Sequence, residues 1–210
     1  MTIGTIHPVA TDLFLVEGRE PVTSVVVLRR RSQVYLLDSG AGPEQRRSVR
    51  AVVASYGLLD ALTLLSSSSA PLPGSNDDLV RELPARRRTH LRPRATDDAA
   101  VTSTSVSAQP YDVLGGSGWV QLGARRWPGW QIDDAGLQIL RLCGHEGVAV
   151  QPSVVFRLPE QGLLVLAGGL ARNADDAAGS PGLISTLAEH VRLISPGFGP
   201  LRAAADFRVA

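Results

Sequence analysis

The chain has no lysine: all 21 of its basic residues are arginine, set against 20 acidic residues for a formal net charge of +1. So small an imbalance gives no field that would draw the protein to nucleic acid or to a membrane surface. The missing lysine, beside abundant Ala and Gly, reads as a coding bias and not as chemistry. A lone cysteine, Cys143, excludes an internal disulfide framework and any multi-cysteine metal site. No apolar run reaches the roughly 18 residues that a membrane-spanning helix needs. The opening "MTIGTIHPVATDLFLVEG" lacks a basic start and a long apolar core, so no signal peptide is read and a cytoplasmic location is the default expectation.

What remains is 210 residues, 44% hydrophobic and 20% charged, enough to bury a sizeable core. A single domain spanning residues 1–210 is expected. Its first 40 residues read as strands, "DLFLVEG", "VTSVVVLRR" and "QVYLLDSG", rich in Leu and β-branched side chains. In "GPEQRRSVRAVVASYG", Pro43 suits a first helical position and Gly57 a stop, with Val49, Val52, Val53 and Tyr56 on one face. "ALTLL" follows as a short buried strand, and "SNDDLVREL" as a short helix with acidic residues in its first turn.

Residues 85–110 resist placement apart from "AVTSTSVSA", which reads as a strand. Strands return at "GWVQLG", "LQILRL", "PSVVFRL" and "LLVLAGG". The last helix is expected over "SPGLISTLAEHVRLI", with Ser180 capping, Pro181 at its first position and Leu183, Leu187 and Val191 on one face. Strands, helix, strand, helix, then strands and a helix again imply two sheets packed together with helices outside.

The stretch "LTLLSSSSAPLPGSND" is the oddest in the chain, because four serines follow directly on an apolar strand. "VYLLDSGAG", then a helix, a short strand and this turn resemble the opening of the metallo-β-lactamase superfamily. There, a strand ending in Asp-Thr/Ser-Gly precedes a helix and a Thr-His-x-His-x-Asp-His metal motif. Downstream, "LCGHEGVAVQPSVVFRLPEQGLLVLAGGL" resembles that family's Pro-Gly-His-Thr segment, hairpin and Gly-Asp, and "ISPGFGPL" resembles its Pro-Gly-His-Gly. The resemblance runs through most of the chain and implies an α/β fold, the αββα sandwich of two mixed sheets flanked by helices.

Carried over position by position, the family's ligands are nearly all gone. The first two histidines fall on Ser67 and Ser69, the motif's Asp on Pro71 and its last His on Leu72. The third-segment His is kept as His145, the bridging Asp falls on Gly169, and the final His falls on Phe198. A catalytic zinc needs about three N, O or S ligands plus an open position. Pro, Leu, Gly and Phe offer none, and a serine hydroxyl must lose a high-pKa proton to serve. No metal and no other cofactor is therefore expected. Asp38, kept from the family, is expected to hold loop backbone amides.

His145 then reads either as a general acid/base at the cleft or as a vestigial, hydrogen-bonded histidine. Ser67, Ser69, Leu72, Gly169 and Phe198 are read as substrate-binding cleft lining, the serines as donors to a ligand or, alternatively, a nucleophile. "GGSGW" at 115–119 is not a Gly-x-Ser-x-Gly elbow, since it ends in Trp119. Trp119, Trp127 and Trp130 could form an aromatic wall over a ligand, or pack in the core under a hairpin; Trp127 and Trp130 are taken as substrate-binding. "RELPARRRTHLRPR" carries six Arg against one Glu. It reads as a solvated face or a surface for an anionic partner. Cys143 reads as a small buried hydrophobe.

Three function classes stay open. The first is a metal-independent enzyme using the cleft for cyclisation, rearrangement, elimination or isomerisation of a bulky small molecule, in natural-product biosynthesis. The second is a catalytically inactive binding or regulatory protein on the same scaffold. The third is a metal-free hydrolase with a serine nucleophile. A small-molecule substrate is the expected partner, with no nucleic acid and no membrane, and a homodimer is left open.

Overall fold

A computed structural model describes residues 4–18, 24–38, 42–67, 76–93, 112–114, 118–142, 153–166, 187, 190–195 and 201–207. The first sheet begins as an antiparallel meander: β1 (Ile6–Ala10), β2 (Leu13–Glu17), β3 (Ser24–Arg30) and β4 (Gln33–Leu37). At β4 the direction changes. Helix α1 (Pro43–Ala54) carries the chain over to β5 (Leu59–Leu65), which lies parallel to β4. Helix α2 (Asn76–Glu82) leads to β6 (Ala85–Pro93), again parallel, and β7 (Asp112–Leu114) pairs with the end of β6.

The second sheet holds β8 (Trp119–Leu122), β9 (Arg125–Ile132), β10 (Leu137–Leu142), β11 (Ser153–Leu158), β12 (Leu163–Val165), β13 (Leu193–Ser195) and β14 (Arg202–Ala203). Successive neighbours are antiparallel except β12 and β13, which run parallel.

Side-chain alternation sorts the apolar residues into three layers. Leu15, Leu28, Leu37 and Leu65 of the first sheet meet Leu137, Ile139, Phe156 and Leu163 of the second. The opposite face of the first sheet, with Val25, Val27, Leu36, Leu62 and Leu64, is covered by Val49, Val52 and Val53 of α1 and by Leu79 and Val80 of α2. On the outer face of the second sheet, Val155, Leu164 and Ile194 pack with Leu187, Val191 and Ala204. The first sheet is thus buried on both faces, which is why β3 and β4 read as unbroken apolar runs and not as alternating ones.

Helix α1 starts where expected, with Pro43 in its first turn, and is followed by Gly57 at φ +76°, a conformation glycine adopts without a Cβ clash. Its inner face also carries polar clamps: Gln45 Nε2 donates to Val16 O at 2.8 Å and Ser48 Oγ to Gly4 O at 3.1 Å.

Six strands, β1, β6, β7, β9, β13 and β14, were not legible. β1 and β9 carry too many polar residues or prolines to stand out. β6 lies in the Arg-rich segment, and Arg86, Arg87 and Arg88 are exposed on the half that β7 does not reach, where charge guards a sheet edge. The helix expected to run to Ile194 does not reach it. His190 takes a left-handed φ of +61°, the Arg192 and Leu193 amides donate to Gly162 O, and Leu193–Ser195 becomes strand β13. Ser180, Pro181, Leu183 and "AVTSTSVSA" lie outside the described residues.

Candidate functional site at the strand ends

The parallel strands β4, β5 and β6 finish together, and in parallel sheets the crevice outside such carboxyl ends is where ligands bind. β4 is followed directly by Asp38, whose φ of +62° turns the backbone left-handed, a region that Asp tolerates better than most residues. Its amide still reaches Leu65 O at 2.8 Å, extending the ladder to β5. Its carboxylate accepts a hydrogen bond from the Ser67 amide at 2.7 Å. Asp38 thus holds a loop amide, as expected from the sequence. Burial drives its pKa up to about 6 from an ordinary 3.8, against the pull of the Ser67 hydrogen bonds.

Ser66 and Ser67 are both buried and serve opposite sides of the sheet. Leu65 belongs to the layer between the sheets and Leu64 to the helix-covered layer. By alternation Ser66 follows Leu64. Its Oγ lies 2.8 Å from Nε2 of His90, the residue of β6 that stands in register with Leu64. The Ser66 amide donates to Leu91 O at 2.9 Å. Ser67 O accepts from the Val154 amide at 2.8 Å, which ties the first sheet to the start of β11. Because β11 and β12 are antiparallel, the start of β11 lies on the edge where β12 ends, and β13 ends beside β12 in the register Val165 with Ser195. The ends of β5, β12 and β13 therefore share one edge of the sandwich.

Of the residues singled out from sequence, Ser67 sits at this edge. Ser69, Leu72, His145, Gly169 and Phe198 lie outside the described residues, as do Pro71 and Cys143. Trp127 and Trp130 are not brought together. Three positions apart on β9, they face opposite ways: Trp130 packs against the layer between the sheets, Trp127 against the outer layer with Nε1 donating to Arg141 O at 2.9 Å. Trp119 is 58% exposed. His90 was missed because the Arg-rich segment could not be assigned to a strand; the signal would have been its register with Leu64 beside the serine run.

These layers and strand ends are those of the metallo-β-lactamase fold. The chain superposes on TMB-1 with a TM-score of 0.63 at 12% identity, over 99% of this chain and 96% of that one. It superposes on the NDM_FIM-1 like metallo-β-lactamase from Erythrobacter litoralis, in its mono-zinc form, with a TM-score of 0.60 at 12% identity, over 97% and 93% of the two chains. A putative diflavin flavoprotein fragment from Nostoc sp. gives 0.62 at 14% identity, over 98% and 95%. No family model matches the sequence, and neither does any curated protein. The resemblance read in the motifs is therefore one of fold, and a fold shared by a β-lactamase and a flavoprotein does not choose the chemistry.

The donor set at the strand end does not fit the zinc that such relatives hold. Residues 66–72 read Ser-Ser-Ser-Ser-Ala-Pro-Leu. The nearby carboxylate of Asp38 is committed to a backbone amide, and among the described residues no three His, Cys, Asp or Glu side chains gather. Nitrogen, thiolate and carboxylate ligands are what zinc requires. Among the described residues no helix is long and apolar enough to cross a membrane.

Proposed function

We propose that the protein is a metal-independent enzyme acting on a bulky, uncharged small organic molecule at the edge where β5, β12 and β13 end. The reaction class is non-hydrolytic: cyclisation, rearrangement, elimination or isomerisation. The observation that carries this reading is the Asp38–Ser67 hydrogen bond. It fixes the backbone at Ser67, the position on which the resemblance puts the family's first metal-ligating histidine. Two buried, uncharged serines, Ser66 and Ser67, directly after Leu65 of the apolar inter-sheet layer favour a ligand with few charges and reward shape and desolvation.

In this reading His145 is the acid/base, Ser67 and Ser69 donate hydrogen bonds to the ligand, and Leu72, Gly169, Phe198 and Trp130 supply apolar lining. Trp127 faces the outer layer and is assigned a packing role. A positioned imidazole contributes about 10²–10⁴-fold in rate. The test is turnover of a candidate substrate by metal-stripped protein and by His145→Ala. The reading expects full activity without metal and a loss of about 10²–10⁴-fold in the variant. Activity that appears only on adding zinc or iron would contradict it.

A further inference from the structure

We infer that Ser66 and His90 form a nucleophile–base pair for acyl transfer, acting on an uncharged ester or thioester. This rests on the metal-independent reading and names a reaction for it, in which His90 takes the base's role given above to His145. Three observations converge. Ser66 Oγ and His90 Nε2 stand 2.8 Å apart, within the reach a base needs to take a hydroxyl proton. Ser66 directly follows β5 and His90 lies on the adjacent parallel strand β6, so they meet near the carboxyl ends, outside which α/β sheets place their ligands.

The backbone around Ser66 is also pinned on every side. Leu65 O accepts from the Asp38 amide, the Ser66 amide reaches Leu91 O, the Ser67 amide reaches the Asp38 carboxylate, and Ser67 O accepts from Val154. A hydroxyl on so constrained a backbone is held in one place, as a reacting group must be. Ser66 is buried and His90 half-buried.

In the tautomer with hydrogen on Nδ1, Nε2 accepts from Ser66 Oγ. As Oγ bonds to the substrate carbonyl carbon, its proton passes to Nε2. The bond from that carbon to the leaving oxygen or sulfur then breaks, and Nε2 returns the proton to the departing alcohol or thiol. This leaves an ester on Ser66. A hydroxyl elsewhere on the same substrate next gives its proton to Nε2 and bonds to the carbonyl carbon. The carbon–Oγ bond breaks and Oγ recovers the proton. The net change is an ester or thioester converted to a lactone plus an alcohol or thiol, a cyclisation with no net water.

A fluorophosphonate probe tests the pair without knowledge of the substrate. Full-length protein is incubated with it and the adduct is mapped by peptide mass spectrometry. The expected result is a single adduct on Ser66, absent from Ser66→Ala and from Ser66→Gly, and formed about 10²-fold or more slowly in His90→Gln. Unlabelled wild-type protein overturns the inference, as does an adduct elsewhere or His90→Gln reacting at the wild-type rate. Folding of each variant is checked by its unfolding midpoint, and the wild-type arm needs no variant. Metal content measured on the same sample separates the two readings. Metal-free protein that stays unlabelled sinks the pair alone, whereas metal-loaded protein that labels on Ser66 keeps the pair and sinks metal independence.

Discussion

Asp38 and Ser67 are joined by a hydrogen bond of 2.7 Å from a backbone amide to a half-buried carboxylate, across the ends of two parallel strands. The bond does two things at once: it anchors the chain at the end of β4 and it fixes the backbone at Ser67, just past β5. Two replacements separate these roles. Asp38→Asn keeps an acceptor oxygen and a residue tolerant of φ near +60°, so the fold should survive. Asp38→Ala leaves the Ser67 amide without its acceptor and strains the backbone, for a loss of about 2–4 kcal/mol by denaturant unfolding. Equal stability of the two variants would contradict this role.

The same carboxyl makes stability depend on pH. Its pKa of about 6 in the folded protein lies above the ordinary 3.8. Between those values the folded chain holds a proton that the unfolded chain has released, so stability falls as pH rises from about 4 to 6 and is level above that. The decline should be about 3 kcal/mol. Unfolding free energies measured across this window should slope downward in the wild type, and the slope should flatten in Asp38→Asn.

Much of the fold was readable because the apolar pattern matched the layers. The runs in β3, β4, β5 and β11 are buried on both sides of their sheets, and α1 shows its Val49, Val52 and Val53 stripe plainly. β6 was hidden because its burial is lopsided: Ala85 and the Ser66–His90 contact face cover while Arg86, Arg87 and Arg88 face water. Periodicity also extended the last helix to Ile194, since nothing in "EHVRLI" announces the left-handed turn at His190. At the site, Asp38 and Ser67 were found through motif spacing. His90 was not, because a register between strands far apart in sequence has no local signature.

Phe156 tests the layer between the sheets. It is fully buried among residues of both sheets. Phe156→Ala should therefore cost about 3–5 kcal/mol. Trp119→Ala removes a side chain that is 58% exposed and should change stability by about 0.5 kcal/mol or less. Thermal unfolding of the two variants side by side gives the comparison, and a larger loss at Trp119 would contradict the layer assignment.

The two tryptophans of β9 should also behave differently. Trp127→Phe loses the hydrogen bond to Arg141 O in the outer layer and should cost about 1 kcal/mol with no effect on ligand binding. Trp130→Ala should weaken binding of an apolar ligand, read by fluorescence titration. Equal effects on binding would contradict their placement on opposite faces.

Metal content most directly tests the central claim. Protein purified without chelator, and protein dialysed against excess zinc or iron, should both carry far less than one metal ion per chain by elemental mass spectrometry. Their unfolding midpoints should be unchanged by chelator, since a bound ion would add its binding free energy to the folded state. One ion per chain, with a midpoint that falls when it is stripped, would contradict the account.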